Sequence, residues 1–173
     1  ALTLLSPSVA ADVYARARAL AGRSAPDRAA ALTGLVDACF WAGRLSQVLE
    51  LADEVRGETD PLLRLRADEA VVRALTVLGR PTEALEKARK MPRPVGHCAW
   101  SEAVTATMAM LALDRGEADA RASDALAACA EQADVSAEVL AWCVRSWVAN
   151  LRGFHHAAIE HAAHAVGLAD TSP

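Results

Sequence analysis

A chain of 173 residues that is 53% apolar is long enough for one domain with a continuous core, and needs neither disulfides nor a metal to fold. Its net charge of -4, with acids and bases interspersed, provides no basic stripe to neutralise phosphates, which argues against direct nucleic-acid binding. The four cysteines (Cys39, Cys98, Cys129 and Cys143) are widely spaced, form no C-x-x-C pair and read as small buried hydrophobes rather than a zinc or redox site, which points to a reducing compartment.

The apolar fraction is mostly Ala and Leu, the best helix formers, so an all-α fold is expected. Residues 1 to 11 lack a basic segment and are too short for a signal peptide. The longest apolar stretch, Cys98 to Leu113, is interrupted by Ser101, Glu102, Thr105 and Thr107 and falls short of the roughly 20 residues that span a bilayer. These readings predict a soluble, cytoplasmic chain without a membrane segment. The first residue is not Met, so a fragment of a longer protein is expected.

In chain order, a leading helix is predicted over 9–21, stopping at Gly22. Four helix pairs follow, over about 27–56, 61–91, 97–133 and 137–169, giving about nine helices in a single domain, 1–173. A glycine recurs between the two helices of each pair, Gly43, Gly79, Gly116 and Gly153, at spacings of 36, 37 and 37. Each has an arginine beside it: Arg44, Arg80, Arg115 and Arg152. Glycine at a helix end supplies the left-handed backbone that other residues resist, and a basic neighbour suits the negative end of the helix dipole. Asp60 and Ser136 are predicted N-caps, Pro61 and Pro81 predicted first-turn residues. Met91 to Gly96, with two prolines, is predicted to be a loop.

Helical spacing of Val48, Leu51, Ala52 and Val55, of Ala84, Leu85, Ala88 and Met91, and of Ala158, Ala162 and Ala165 marks the packing faces of the second helices. With a turn glycine and a fixed alanine five residues after it (Ala84, Ala158, with Ala165 beyond), the chain resembles a tetratricopeptide repeat. The third repeat places Arg121 at that position and the first Val48, and the repeat is two or three residues too long. The resemblance covers about 27–169 and implies an α-solenoid, a right-handed superhelical array of antiparallel helix pairs. The long, Ala- and Arg-rich repeats with Gly-Arg turns also resemble the helical arrays of large ATPase-linked LuxR-type transcriptional regulators of high-GC bacteria. That likeness implies a module sensing an effector or a protein.

No nucleotide-binding, serine-hydrolase or zinc-protease motif occurs, so no enzyme activity, metal or cofactor is expected. His97 and Cys98 are adjacent, hence about 100° apart on a helix, and form no nucleophile pair. His155, His156, His161 and His164 read as a solvated face of the last helix. In tetratricopeptide arrays the first helices line the binding surface; counting from the turn glycines places Asp37, Phe40, Trp41, Arg66, Glu69, Arg73, Met110, Trp147 and Asn150 there. Arg66, Glu69 and Arg73 fall on one charged stripe that could hold a carboxylate or acidic peptide end. Trp100 and Trp142 are expected in the core, and Trp41 and Trp147 at the edge of the groove. The expected partner is a protein or peptide, another domain of the parent included, with self-association through the array ends a further expectation. The competing expectation is a small molecule in an apolar groove built from Phe40, Met110 and Trp147.

Overall fold

The computed structural model describes residues 6–20, 26–55 and 60–170, apart from the side chains of Pro26, Asp27 and Ala29. Nine α-helices and no strand occur among the described residues. The expected stop at Gly22 and the end of the first repeat at 56 lie outside them. The chain divides into two compact units, 1–80 and 81–173.

The first unit holds α1 (Pro7–Leu20), α2 (Pro26–Trp41), α3 (Leu45–Val55) and α4 (Pro61–Val77). All but α3 open on a proline, whose missing N–H is one the first helical turn leaves unbonded anyway. Asp60 caps α4, its Oδ1 accepting from the Leu62 N–H at 2.8 Å. Helix α1 packs on α2, and α2 on both α3 and α4. Leu32, Val48, Val55, Leu65 and Val72 are fully buried there. At the α1–α2 contact the Tyr14 ring lies against Gly34 so closely that a Cβ would come within 2.5 Å of it.

The second unit holds α5 (Pro81–Arg89), α6 (Cys98–Leu111), α7 (Arg115–Gln132), α8 (Val135–Leu151) and α9 (His155–Asp170). Successive helices pack in order, and α8 also reaches back to α6. The interior is mostly alanine: Ala99, Ala103, Ala106, Ala118, Ala122, Ala125, Ala137 and Ala141 are all buried. The Pro-rich stretch before α6 is non-helical as expected. The cap of α8 is Asp134, whose Oδ1 accepts from the Ala137 N–H at 3.0 Å, and not Ser136, which already lies inside the helix.

Four turns share one hydrogen-bond pattern. After α2 the Gly43 N–H donates to the Phe40 carbonyl and the Arg44 N–H to that of Cys39. The same two bonds recur at Gly79–Arg80, Leu113–Asp114 and Gly153–Phe154, each a Schellman closure with a left-handed residue at its centre. Gly43, Gly79 and Gly153 have φ of 73°, 71° and 82°. The third turn departs from expectation: Gly116 is already in α7, and Leu113 takes the left-handed position with φ of 65°. The repeat marks are therefore Gly43, Gly79, Leu113 and Gly153, spaced by 36, 34 and 40 residues. In this register the residue five beyond each mark is Val48, Ala84, Ala118 or Ala158, and the residue twelve beyond is Val55, Met91, Ala125 or Ala165, every one buried. The alanine apparently missing from the third repeat is Ala118; Arg121 is not its counterpart.

Candidate functional site

In the first unit, packing of α2 on α4 gathers four of the expected residues. Arg73 donates to Asp37 Oδ1 at 2.8 Å, and its guanidinium lies over the Phe40 ring, 4.8 Å from the centroid. Phe40 meets Trp41 edge-on at 5.3 Å, an arrangement that suits the ring quadrupoles. Trp41 is 68% exposed, so a large aromatic stands outward beside a held guanidinium. The Asp37–Arg73 pair is itself half-exposed and screened, and contributes about 1 kcal/mol or less to stability. Its effect is positional: a carboxylate on one side and an aromatic face on the other restrict the guanidinium.

The expected charged stripe of α4 is divided. Glu69 is 6% exposed and accepts from Arg66 at 3.3 Å, while Arg66 and Arg73 reach solvent. Helix rotation explains the division, since a residue three places from Arg66 lies about 60° round the axis, enough to cross into the core.

In the second unit Met110 is 5% exposed and so presents almost no surface to a ligand. Its placement followed from counting back from Gly116; counted from Leu113, the position equivalent to Asp37, Arg73 and Trp147 is Thr107. Trp147 is 55% exposed, and Asn150 is exposed with its Oδ1 3.0 Å from His155 Nδ1. Trp147 borders an open apolar cleft of about 240 Å³ between α8 and α9, with Val139, Cys143, Ala162 and Val166. A second cleft of about 380 Å³ continues it past Val139 and Cys143 to Leu140 and to Trp100 of α6. This groove was not anticipated as a surface. Its sequence signal was the helical spacing of Val139, Cys143 and Trp147 with that of Ala162, Val166 and Ala169.

Of the four histidines of α9 expected to be solvated, His161 is half-buried, while His164 is exposed and touches a neighbouring ring only by its edge. Trp142 lies against His161 and His164, with centroid separations of 5.1 and 4.7 Å. Burial, reinforced by Arg145, lowers the His161 pKa below the ordinary imidazole value. His155 and His156 are exposed. Trp100 and Trp142 are partly covered, and neither indole N–H meets an acceptor among the described residues. Cys129 is buried and its thiol is pushed up to about 11 by desolvation and by Asp134 and Glu138, whereas Cys143 is exposed. Glu102 is held between Arg93 at 2.5 Å and Arg121 at 3.0 Å, which assigns it to an ion-pair network rather than to acid–base chemistry. No helix among the described residues is long and apolar enough to cross a membrane.

No protein-family profile matches the sequence, and no curated protein matches it. Among solved structures, the chain is similar to a crystal structure of Podospora anserina titled a putative kinesin light chain with nearly identical TPR-like repeats. The TM-score is 0.69 at 15% identity, over 94% of this chain and 84% of that one. The chain has a TPR-like repeat fold. At that identity the likeness speaks for architecture alone, and it agrees with the four shared turns and with the small residues buried at fixed distances beyond them. TPR-like repeats commonly present extended surfaces for protein–protein interaction.

Proposed function

We propose that this chain is a non-catalytic protein-docking module that recognises a peptide segment on the exposed face of α2 and α4. The observation that carries the reading is the outward Trp41 beside an arginine held over Phe40 and against Asp37. Exposed Trp and Arg side chains are the residue types that most often dominate binding energy at protein interfaces. Here both are restrained before a partner arrives, which lowers the entropy lost on binding. The Arg66 and Arg73 side chains stay partly exposed, and a planar guanidinium matches a carboxylate, so a peptide with acidic side chains or a free C-terminus suits the face. Trp147 and Asn150 are the corresponding candidates on α8.

The wider context in this proposal is a cytoplasmic bacterial transcriptional regulator of the ATPase-linked LuxR type, in which the docked segment belongs to another domain or to a protein effector. The long, Ala- and Arg-rich repeats support that setting. The competing reading, a small molecule in an apolar groove, has support only from the α8–α9 cleft.

Selection from a displayed random-peptide library against the immobilised chain tests the proposal. Peptides rich in Asp or Glu, or binding through a free C-terminus, are expected. Trp41→Ala is expected to weaken them tenfold or more, and Arg73→Ala to abolish the acidic preference. Selected peptides that bind both variants as tightly as the parent chain would remove the α2–α4 face from consideration.

A further inference from the structure

Beyond the peptide face, two other surfaces remain uncovered among the described residues, and they complement each other. On α1 the residues Val9, Val13, Arg16 and Leu20 are all exposed and recur at steps of four, three and four, on the side opposite the face that α1 packs against α2. In the second unit α8 buries Ala137, Ala141, Val144 and Val148, at the same steps, where it packs on α6 and α7. Thus α1 displays to solvent the residue spacing with which α8 seats itself on a helix pair. The α8–α9 groove past Val139, Cys143, Trp147 and Val166 is a helix-pair surface with no helix on it among the described residues.

Charge agrees with shape. Arg16 is the charge within the α1 stripe, and Asp170, next to groove-lining Ala169, is an exposed charge at the end of the groove. Neither makes an ion pair among the described residues. We infer that α1 of one copy docks in the α8–α9 groove of a second copy, with Arg16 near Asp170, in a head-to-tail contact. The two faces differ, so one contact leaves one α1 stripe and one α8–α9 groove unoccupied, and further copies add as concentration rises. This interface shares no residue with the α2–α4 peptide face; Trp147, also a candidate contact on α8, lies in it, so the peptide reading is tested at Trp41 and Arg73 and the assembly at the α1 stripe as well as the groove.

Light scattering of the full chain over a rising concentration series reads the contact. The parent chain is expected to grow in mass through dimer to higher species. Val13→Glu and Trp147→Glu, at positions 40% and 55% exposed, are each expected to remain monomeric alone. Their one-to-one mixture is expected to stop at a dimer, because each variant keeps the face the other has lost. A charge exchange supplies the milder check: Arg16→Asp and Asp170→Arg each weaken assembly, and the double variant recovers it. A parent chain that stays monomeric at every concentration overturns the inference. Continued self-association of either glutamate variant, each with unchanged circular dichroism, overturns it equally, since the groove or the stripe would then have another occupant.

Discussion

Leu113 and Ala133 are the described non-glycine residues with left-handed backbone, and Leu113 is the one that stands in a repeat turn. A side chain with a Cβ in the left-handed region loses about 1 kcal/mol or more relative to glycine, and the Leu113 side chain gains little burial in return, being 73% exposed. Leu113→Gly is therefore expected to stabilise the protein by about 0.5 to 1 kcal/mol, after allowance for the larger entropy of glycine in the unfolded chain. A rise in the urea midpoint with unchanged slope is the result to look for. A fall would mean that the leucine packs in a way its exposure conceals. The same residue explains what the sequence concealed: a left-handed position is legible when glycine fills it and nearly silent when leucine does. The surrounding signals were nonetheless present, in Asp114 as a capping residue and in Ala118, Ala122 and Ala125 at helical steps beyond it. Met110 lies six residues before Gly116 and only three before Leu113, so it falls on the surface in the one register and in the core in the other.

At the scale of the helix, beginnings were more legible than faces. Pro61 and Pro81 open α4 and α5 as predicted, and Asp60 behaves as its residue type suggests, whereas Pro7 and Pro26 open α1 and α2 slightly before the expected starts at 9 and 27. Ser136 is the cap that residue type suggests for α8, but the backbone places it inside the first turn and gives the cap to Asp134. Asp134→Ala is expected to cost about 1 kcal/mol of stability and Ser136→Ala a few tenths at most. Thermal melts of the two variants would separate them, and equal losses would contradict the assigned cap. Faces were harder because the second unit is built from alanine, which fits inside and outside alike: Ala158 and Ala165 are buried while Ala162 between them borders the cleft and is exposed. The charged stripe of α4 failed similarly, because three residues of helix carry Glu69 round into the core while Arg66 stays outside.

For the whole molecule, the all-α class and the paired helices followed from composition and punctuation, because alanine, leucine and a recurring turn leave few alternatives. Which surface binds was only partly legible, since it depends on contacts between helices distant in sequence, such as Arg73 on α4 reaching Asp37 on α2. The tryptophan distribution was legible in outline: Trp41 and Trp147 are exposed, Trp100 and Trp142 largely covered. Acrylamide is accordingly expected to quench most of the accessible emission through Trp41 and Trp147. A Trp41→Phe, Trp147→Phe double variant should show a much shallower quenching slope and a blue-shifted maximum. A slope equal to that of the parent would place Trp100 or Trp142 in solvent.

That arrangement has an optical corollary. His161, packed on Trp142 with its pKa lowered, quenches more strongly once protonated, so acidification is expected to dim Trp142 and leave the emission increasingly to the two outward indoles. One of these stands on the proposed peptide face and the other beside the α8–α9 cleft. The protein is thereby equipped with an intrinsic fluorophore at each surface where a partner is proposed, and single-tryptophan variants would report which surface is occupied without any label.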